Sequence, residues 1–310
     1  MNGIVNILKP PGMTSHDVID TIRRVLGIKK AGHTGTLDPG AAGVLVVCLG
    51  VATRLARFLL NDDKEYRAEI TFGLTTSTGD SFGDKIAEGD ARQLTEHDTR
   101  STLELFTGAI SQVPPMTSAL KWHGQKLYEL ARSGQVVDRP ARTIKVHSLE
   151  YIWGTGWGSS RPKALLHISC SKGTYIRTLC TDMGKHLGCG AHMSFLVRTR
   201  AGSFKIEDSH TLEEIRASVS EGTFENLIVN MEEALAGFPS VAVRSGAVKS
   251  VTSGSKLYLP GVEHLPIGLE EGNLVRLTGP EGLLAVAETL TDPEKPDRCF
   301  FKPICVLSGM

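Results

Sequence analysis

The most informative stretch of this sequence is residues 31–39, which read AGHTGTLDP. Gly32 and Gly35 allow a sharp turn and a close approach between the backbone and a ligand, because glycine has no Cβ. Pro39 fixes the exit of the turn directly after an aspartate. We therefore predict a loop that presents Asp38 at its rim as a candidate nucleophile. An ordinary surface turn is the structural alternative.

The segments on either side of this loop have the periodicities of regular structure. Thr14 and Asp17 have the spacing of a capping box that begins a helix, and Gly27 ends that helix. The valine-rich run 44–49 is typical of a buried strand, whereas 66–72 alternates like a half-buried one. Two further segments have the spacing of short helices: 53–60 and 102–106.

The middle of the chain mixes strands and helices without the even alternation of sequential βαβ units. Strands are predicted at 144–152 and 164–170, separated by a loop at 153–162. A helix follows from about 173 to 187, and a strand at 192–199. This irregular mixture favours an α+β fold with a mixed, largely antiparallel sheet and flanking helices.

A domain boundary is predicted at 236–239, where the sequence reads AGFP. Three short strand-like runs follow it, at 274–277, 283–288 and 300–307. Short strands separated by Gly and Pro turns are typical of a small β-barrel. We therefore predict a catalytic domain at 1–237 and a barrel-like C-terminal domain at 238–310.

The net charge of the chain is zero, but the charge is unevenly distributed. The 310 residues include 34 Lys and Arg and 34 Asp and Glu. Residues 119–205 hold 14 of the basic residues and 4 of the acidic ones, a net charge of +10, with −2 before this segment and −8 after it. Such a block suits a phosphate-binding surface, and an ordinary solvated face gives the same pattern.

The composition argues against several other classes of protein. The N-terminus has no signal-peptide pattern, and no window approaches the ~20 apolar residues of a membrane span, so we expect a cytoplasmic protein with no membrane partner. The six cysteines show neither metal-ligand spacing nor a disulfide framework. Cys170 and Cys180 flank a motif discussed below and are candidate thiol nucleophiles, but cysteine is among the most buried residue types.

Three motifs stand in order along the chain: GHTGTLDP at 32–39, KEYR at 64–67 and SKGTYIR at 171–177. Together they resemble the TruB family of transfer-RNA pseudouridine synthases. The similarity includes KPPG at 9–12, which we expect to brace the catalytic loop, and covers roughly residues 3–200. It implies conversion of the T-loop uridine of transfer RNA, position 55, to pseudouridine: the base is cut from C1′, rotated and rejoined through C5.

The resemblance also implies roles for two charged residues. Asp38 stands at the family's catalytic aspartate and would act as nucleophile on the sugar C1′ or on the uracil C6, or by assisting glycal formation. Arg177 would pair with it, because an adjacent guanidinium orients a carboxylate and lowers its pKa by roughly 1 to 3 units. Without the resemblance, the alternative interpretation of Arg177 is an ordinary surface arginine or a phosphate contact.

Four uncharged or neutral residues match substrate-contacting positions of the family. Tyr66 and Tyr175 are aromatic, and stacking on such rings compensates for extruding the uridine. Tyr66 is also a candidate proton-transfer group. His33 would occupy the T-loop, and Leu196 would pack on the target uracil. The structural alternatives are core packing for the tyrosines and Leu196 and a solvent-facing position for His33.

The basic segment at about 119–142 corresponds to the family's inserted thumb, which closes over the T-arm. Its charged residues would meet phosphates, and its aromatic residues would offer stacking surfaces. The candidate RNA-binding residues are Lys121, Trp122, Lys126, Tyr128, Arg132, Arg139 and Arg142. The C-terminal domain resembles the PUA domain that family members carry for RNA.

The resemblance implies transfer RNA, bound through its T-arm, as the partner of a monomeric enzyme. No metal and no cofactor are expected, and residues 32–36 lack both the P-loop and the dinucleotide-binding patterns. One alternative is an RNA-binding or RNA-folding protein on the same scaffold. Another is a guide-RNA-dependent synthase of the dyskerin type, which usually carries longer basic extensions; the chain has none, so no guide RNA is expected.

Overall fold

The computed structural model describes residues 1–292 and 295–307, with 295–297 described by their backbone alone. The strands are β1 (Gly3–Lys9), β2 (Ala31–His33), β3 (Ala42–Leu49), β4 (Lys64–Phe72), β5 (Leu74–Thr76), β6 (Lys85–Glu88), β7 (Gly108–Gln112), β8 (Lys121–Trp122), β9 (Gln125–Lys126), β10 (Arg142–Thr155), β11 (Lys163–Cys170), β12 (Ala191–Ala201), β13 (Phe204–Lys205), β14 (Ser240–Val243), β15 (Leu257–Tyr258), β16 (Val262–His264), β17 (Leu274–Gly279), β18 (Gly282–Asp292) and β19 (Lys295–Val306). The α-helices are α1 (Ser15–Leu26), α2 (Ala56–Leu59), α3 (Glu96–Leu105), α4 (Leu127–Arg132), α5 (Ile176–His186), α6 (Leu212–Ser220), α7 (Met231–Ala234) and α8 (Ser245–Thr252).

A nine-stranded sheet forms the larger part of the molecule. Its strand order is β1-β3-β12-β4-β11-β10-β7, with β2 paired to β3 and β13 paired to β12. Among the described strands of this sheet, β3 and β12 form the one parallel pair, and the other pairs are antiparallel. The predicted α+β fold with a mixed, largely antiparallel sheet is confirmed.

Strand β3 is buried on both faces, which explains its continuous apolar sequence. Successive side chains of a strand point to opposite faces. The odd-numbered residues from 45 to 49 pack with apolar residues of α1 and α6. The even-numbered residues from 44 to 48 pack on the other side, in a core that includes Val286, Cys305 and Leu307 of the C-terminal sheet. Both parts of the chain therefore pack on β3.

Helix α1 begins and ends at the residues that the sequence predicts. Thr14 and Asp17 form the reciprocal capping box, and Gly27 ends the helix in the left-handed conformation at φ 64°. The predicted strands at 66–72, 164–170 and 192–199 lie within β4, β11 and β12. Cap chemistry and helical spacing are sufficient to locate α1, and apolar alternation is sufficient to locate the strands.

Some predicted boundaries are wrong. The helix predicted at 102–106 begins six residues earlier, because Thr95 and Asp98 form a second capping box ahead of two polar turns. The segment 53–60 is divided between a 3-10 helix, Gly50–Leu55, and α2. The predicted loop at 153–162 begins later, since β10 continues to Thr155. Apolar spacing identifies only the buried part of each element.

The C-terminal sheet has six strands in the order β15-β19-β18-β17-β14-β16 and forms a barrel-like structure. It has a core of its own, with Val241, Leu277 and Phe301 fully or almost fully buried. The predicted division at 237/238 remains a prediction, and residues 293–294 and 308–310 of the predicted domain lie outside the described residues. Within 1–292 and 295–307, no helix combines the length and apolar character that a membrane crossing requires.

Candidate active site

The loop between β2 and β3 carries Asp38, and a buried lysine braces it. Lys9 is completely buried, and its ammonium donates hydrogen bonds to the carbonyl oxygens of Pro10, Pro39 and Ala41 at 2.9, 3.2 and 2.6 Å. Burial lowers the pKa of Lys9 to about 8. The contact expected from the KPPG motif is therefore present. It adds ammonium hydrogen bonds to the loop carbonyls of Pro39 and Ala41, and the Pro39 carbonyl also accepts from the Gly12 N–H at 2.8 Å.

A buried arginine on β12 braces the opposite side of the same loop. Arg198 is 2% exposed, and its guanidinium donates to the carbonyl oxygens of Val44, Gly35 and Thr36 at 2.7, 3.0 and 3.5 Å. Gly35 has φ 134°, a conformation that favours glycine. The sequence pattern gives no indication of Arg198, because it stands in an otherwise ordinary strand.

Asp38 and Arg177 form a two-point ion pair. Nε of Arg177 lies 2.8 Å from Oδ2 of Asp38, and Nη2 donates to Oδ1 at 3.2 Å. The arginine side chain is 5% exposed, whereas 34% of the aspartate side chain remains accessible. The structure therefore brings together the two charged residues that the resemblance pairs, with the carboxylate reachable from solvent.

The other hydrogen bonds of Arg177 go to residues that the sequence reasoning missed. Nη2 donates to the carbonyl of Thr117 at 3.0 Å, and Nη1 donates to the carbonyl of Thr78 at 3.1 Å and to the Thr117 hydroxyl. Oδ2 of Asp80 lies 3.7 Å from Nη1. These residues are in turns at 76–84 and 113–118, where only the three-dimensional arrangement relates them to Arg177.

The pKa of Asp38 differs from the sequence-based expectation. Burial raises the pKa of this carboxyl above its ordinary value; Arg177 opposes the rise, and the negative charge of Asp80 adds to it. Arg177 thus acts in the expected direction. The expectation that the pKa of Asp38 is lowered is nevertheless wrong, because burial and Asp80 together outweigh Arg177. A desolvated carboxylate held by a guanidinium loses less solvation on contact with an uncharged substrate, which suits a nucleophile.

Tyr66 and Leu196 lie beside the catalytic loop in one buried cluster with Leu37. Tyr66 is on β4, between Ile168 of β11 and Arg198 of β12. Burial raises the pKa of Tyr66, so its phenol keeps its proton at neutral pH. Both residues pack in the core, which is the structural alternative given for them above. They do so in contact with the cluster that contains Leu37, the residue before Asp38.

Tyr175 stands directly before α5 and is fixed through its backbone. Its N–H donates to Oε1 of Gln112 at 2.8 Å, and Nε2 of Gln112 donates to its carbonyl at 3.1 Å. The phenol is partly buried, and burial raises its pKa. This amide pair sets the entry of α5 and hence the position of Arg177, two residues later.

His33 is the last residue of β2 and faces the same loop. Its Nδ1 accepts a hydrogen bond from the N–H of Gly35 at 3.4 Å. Burial lowers the pKa of His33, and the positive charge of Arg198 lowers it further, so the ring is neutral at physiological pH. A neutral, half-buried ring is suited to contact with a base rather than with a phosphate.

The basic segment forms a β8–β9 hairpin followed by α4. Nζ of Lys126 and the guanidinium of Arg132 lie 5.3 and 5.5 Å from the centroid of the Tyr128 ring. Arg139 reaches back to the Pro114 carbonyl at 3.0 Å. The exposed members of the predicted set are Lys121, Arg132 and Arg142, and the partly buried members are Trp122, Lys126, Tyr128 and Arg139.

The cysteines do not fit a nucleophilic role. Cys170 and Cys180 are completely buried, and burial raises their pKa to about 11 and about 12. They are therefore protonated at neutral pH, and a thiol is a poor nucleophile. In the part of the chain that the structure describes, no group of three or more His, Cys, Asp and Glu residues is placed to hold a metal ion.

The sequence and the fold match a known class of enzyme. Residues 23–176 match the sequence profile of the TruB family pseudouridylate synthase N-terminal domain, and residues 177–236 match that of the tRNA pseudouridylate synthase B C-terminal domain. The class is thus that of the pseudouridine synthases, which are isomerases. Within this class, the chain belongs to the TruB family, and the family and enzyme class predicted from the motifs are confirmed.

Full-length relatives and solved structures agree with this assignment. The "tRNA pseudouridine synthase B" of Pelotomaculum thermopropionicum is 65% identical over 99% of this chain and 98% of its own length. That of Moorella thermoacetica is 45% identical, with 98% and 99% covered. The matching chain in a Cbf5-Nop10-Gar1 complex is 33% identical, has a TM-score of 0.76, and covers 99% of this chain and 84% of its own. A chain of an H/ACA RNP bound to substrate RNA is 29% identical at the same TM-score, with 99% and 85% covered.

Proposed function

We propose that this enzyme converts uridine 55 in the T-loop of transfer RNA to pseudouridine, with Asp38 as the nucleophile. The observation that carries the proposal is the two-point ion pair between Asp38 and Arg177, at 2.8 and 3.2 Å, with the carboxylate open to solvent. An ionised, oriented carboxylate is what attack on the sugar or on the uracil ring requires. The names of the full-length relatives support transfer RNA as the substrate.

The neighbouring residues supply the rest of the proposed site. Tyr66 offers a ring for the extruded uracil and a phenol for proton transfer, and Leu196 packs against the base. His33 and Tyr175 contact the surrounding T-loop nucleotides. The basic segment 119–142, as a thumb, holds the phosphates of the T-arm. The 238–310 part, as a PUA-like domain, extends the RNA-binding surface.

The experiment that tests this proposal measures tritium release. Purified protein is incubated with an unmodified transfer-RNA transcript labelled at C5 of uridine, because C5 exchanges its hydrogen for the bond to C1′. We expect release by the wild type and none by Asp38→Asn. Asp84→Asn, at an exposed aspartate in the neighbouring hairpin, is the matched control and should retain activity.

The position of the modified uridine is tested with altered transcripts. Replacing uridine 55 by cytidine should abolish release, whereas replacing another T-loop uridine should not. Release by Asp38→Asn, or undiminished release from the cytidine-55 transcript, would contradict the proposal. Tyr66→Phe separates stacking from proton transfer, because its ring remains while its phenol is lost.

Two other activities have specific tests. The solved relatives come from H/ACA complexes, which raises a guide-dependent activity for this chain; turnover of a bare transcript with no added RNA or protein excludes a requirement for a guide. If the protein folds RNA without catalysis, the wild type should release no tritium. Wild type and Asp38→Asn should then refold transfer RNA equally well. We propose a monomer that works in the cytoplasm, where its substrate is.

A further inference from the structure

Phe82 is an aromatic residue beside the candidate site to which the proposed chemistry gives no role. It lies in the hairpin connection between β5 and β6, and 80% of its surface is exposed. Single exposed apolar residues are common in proteins, so exposure alone carries no function. What distinguishes Phe82 is its contact with the catalytic loop.

The ring of Phe82 lies against Gly40, two residues after Asp38. A Cβ added to Gly40 would stand 2.0 Å from Cε2, 2.7 Å from Cζ and 3.0 Å from Cδ2 of the ring. The ring therefore rests on the loop by one edge, in space that is free only because residue 40 is glycine. Most of the residue's surface is open to solvent.

The network that orients Asp38 also holds the backbone of Phe82. The N–H of Phe82 donates to Oδ1 of Asp80 at 3.0 Å, and the Thr78 hydroxyl donates to the same oxygen at 2.6 Å. The other oxygen of Asp80 faces Arg177 at 3.7 Å. The backbone that carries the open ring is therefore fixed relative to the reacting carboxylate, although it lies in an exposed hairpin.

We infer that Phe82 is a stacking platform for an unpaired nucleobase next to the target uridine. The inference rests on the proposed function. A uridine that reaches Asp38 has left its stack, and its neighbours then expose their faces. Gly40, which the ring contacts, is two residues from Asp38 and therefore at most about 7 Å away along the chain, comparable to two nucleotide steps of roughly 3.4 Å. An aromatic ring at this distance stacks on a base of any identity.

The test measures binding of a T-arm stem-loop RNA to four variants made in an Asp38→Asn background. Phe82→Ala should weaken binding about 5- to 140-fold, the range that alanine substitution of a stacking ring gives. Phe82→Tyr keeps the ring and should bind within about threefold of the background protein. Ile86→Ala is the matched control, an exposed apolar residue of the same hairpin, and should leave binding unchanged. Gly40→Ala should reproduce the loss, because its Cβ displaces the ring.

A cycle with abasic RNA identifies the ligand. Two RNAs are made, one without the base on the 5′ side of the target and one without the base on its 3′ side. In the protein that has Phe82, one of these RNAs should bind more weakly than the complete RNA. In Phe82→Ala, the same RNA should bind as well as the complete RNA does. An equal loss of affinity in both proteins would overturn the inference. Normal RNA binding by Phe82→Ala together with an altered oligomeric state would also overturn it, because the ring would then contact a second copy of the protein. Binding needs no turnover, so failure of the proposed function is seen separately, in the tritium assay of the wild type.

Discussion

Arg177 makes more contacts than an ion pair alone would require. Besides Asp38, its guanidinium contacts Thr78, Thr117 and Asp80, so three separate segments of chain converge on one buried side chain. A planar group with several fixed donors can hold all of them at once, which a single ammonium cannot. The orientation of the Asp38 carboxylate therefore depends on the shape of this group as well as on its charge.

We predict that Arg177→Lys lowers the single-turnover rate of pseudouridine formation by roughly 100-fold or more, the cost of a small misplacement of reacting groups. Affinity for transfer RNA should change little, because the buried arginine is not a surface contact. Rapid-quench measurement of tritium release at saturating enzyme checks the rate. A Lys variant with near-normal turnover would show that the two-point geometry is dispensable.

The raised pKa of Asp38 leads to a prediction about pH. The reaction needs the ionised form, so the rate should fall as pH decreases through a pKa above the ordinary 3.8. Because Asp80 contributes to the rise, Asp80→Asn should move this acid limb to lower pH even where it also lowers the maximum rate. A pH profile of single-turnover rates measures both. An unmoved limb would contradict a charge effect of Asp80.

At the residue scale, the sequence motifs predict that Asp38, Arg177 and Tyr66 share one site. The structure pairs Asp38 with Arg177 and packs Tyr66 in one cluster with Leu37. The motifs do not locate Asp80 or Thr117, because turn residues of common types carry no pattern that links them to a distant arginine. The direction of the Asp38 pKa is also not predictable from sequence. It depends on how much water the fold removes, and only coordinates give that.

At the scale of elements, the catalytic loop is held by side chains from three others. Ser15 at the start of α1 exchanges hydrogen bonds with the backbone of Leu37 at 2.9 and 3.1 Å. Lys9 of β1 and Arg198 of β12 supply donors to the remaining carbonyls described above. Because a loop without such donors would leave buried acceptors unsatisfied, these contacts determine its shape.

We predict that Arg198→Met destabilises the protein on the order of 3 kcal/mol, since each buried carbonyl left without a donor costs about 1–3 kcal/mol. Its catalytic rate should fall as well, because Gly35 and Thr36 precede the nucleophile. Arg200→Met is the matched control: it lies on the same strand, pairs with Glu65 and is 31% exposed, so about 1 kcal/mol or less is expected. Urea unfolding of the two variants checks the difference, and equal losses would contradict a special role for Arg198.

The elements themselves are predictable where one face is apolar or a cap is present, as for α1, β3 and β4. The β5–β6 hairpin and the start of α3 are less visible, because most of their residues face solvent and apolar spacing does not apply to them. The parallel pairing of β3 with β12 is also not encoded locally. It results from the packing of both strands in one core.

At the scale of the whole molecule, the chain is neutral, but the segment 119–205 is basic and the residues after it are acidic. The +10 segment 119–205 includes the thumb-like hairpin. The N–H of Tyr128 in this segment donates to the Ser118 carbonyl at 3.1 Å, and the preceding residue, Thr117, contacts Arg177. The acidic C-terminal part packs with the even-numbered residues of β3. A polyanion would therefore be drawn toward the basic segment rather than toward the C-terminal part.

We predict that transfer-RNA affinity falls steeply with salt and that Lys121→Gln, Lys126→Gln and Arg132→Gln together make the slope of log Kd against log salt shallower by about 2 to 3, close to one for each lost phosphate contact. Two surface arginines outside the segment, Arg92→Gln and Arg216→Gln, should leave the slope unchanged. Filter binding at several salt concentrations measures it. Equal slopes for both sets of variants would remove the thumb from the phosphate contacts.

The side chains that hold the catalytic loop also set an order of events during protein synthesis. The loop is complete on the ribosome by residue 41, but its ion-pair partner is residue 177 and its second arginine is residue 198. A nascent chain that ends before residue 177 lacks the ion-pair partner of Asp38, and one that ends before residue 198 also lacks the guanidinium that holds Gly35 and Thr36. The side chains around Asp38 are therefore all present only after about two thirds of the 310 residues have been made.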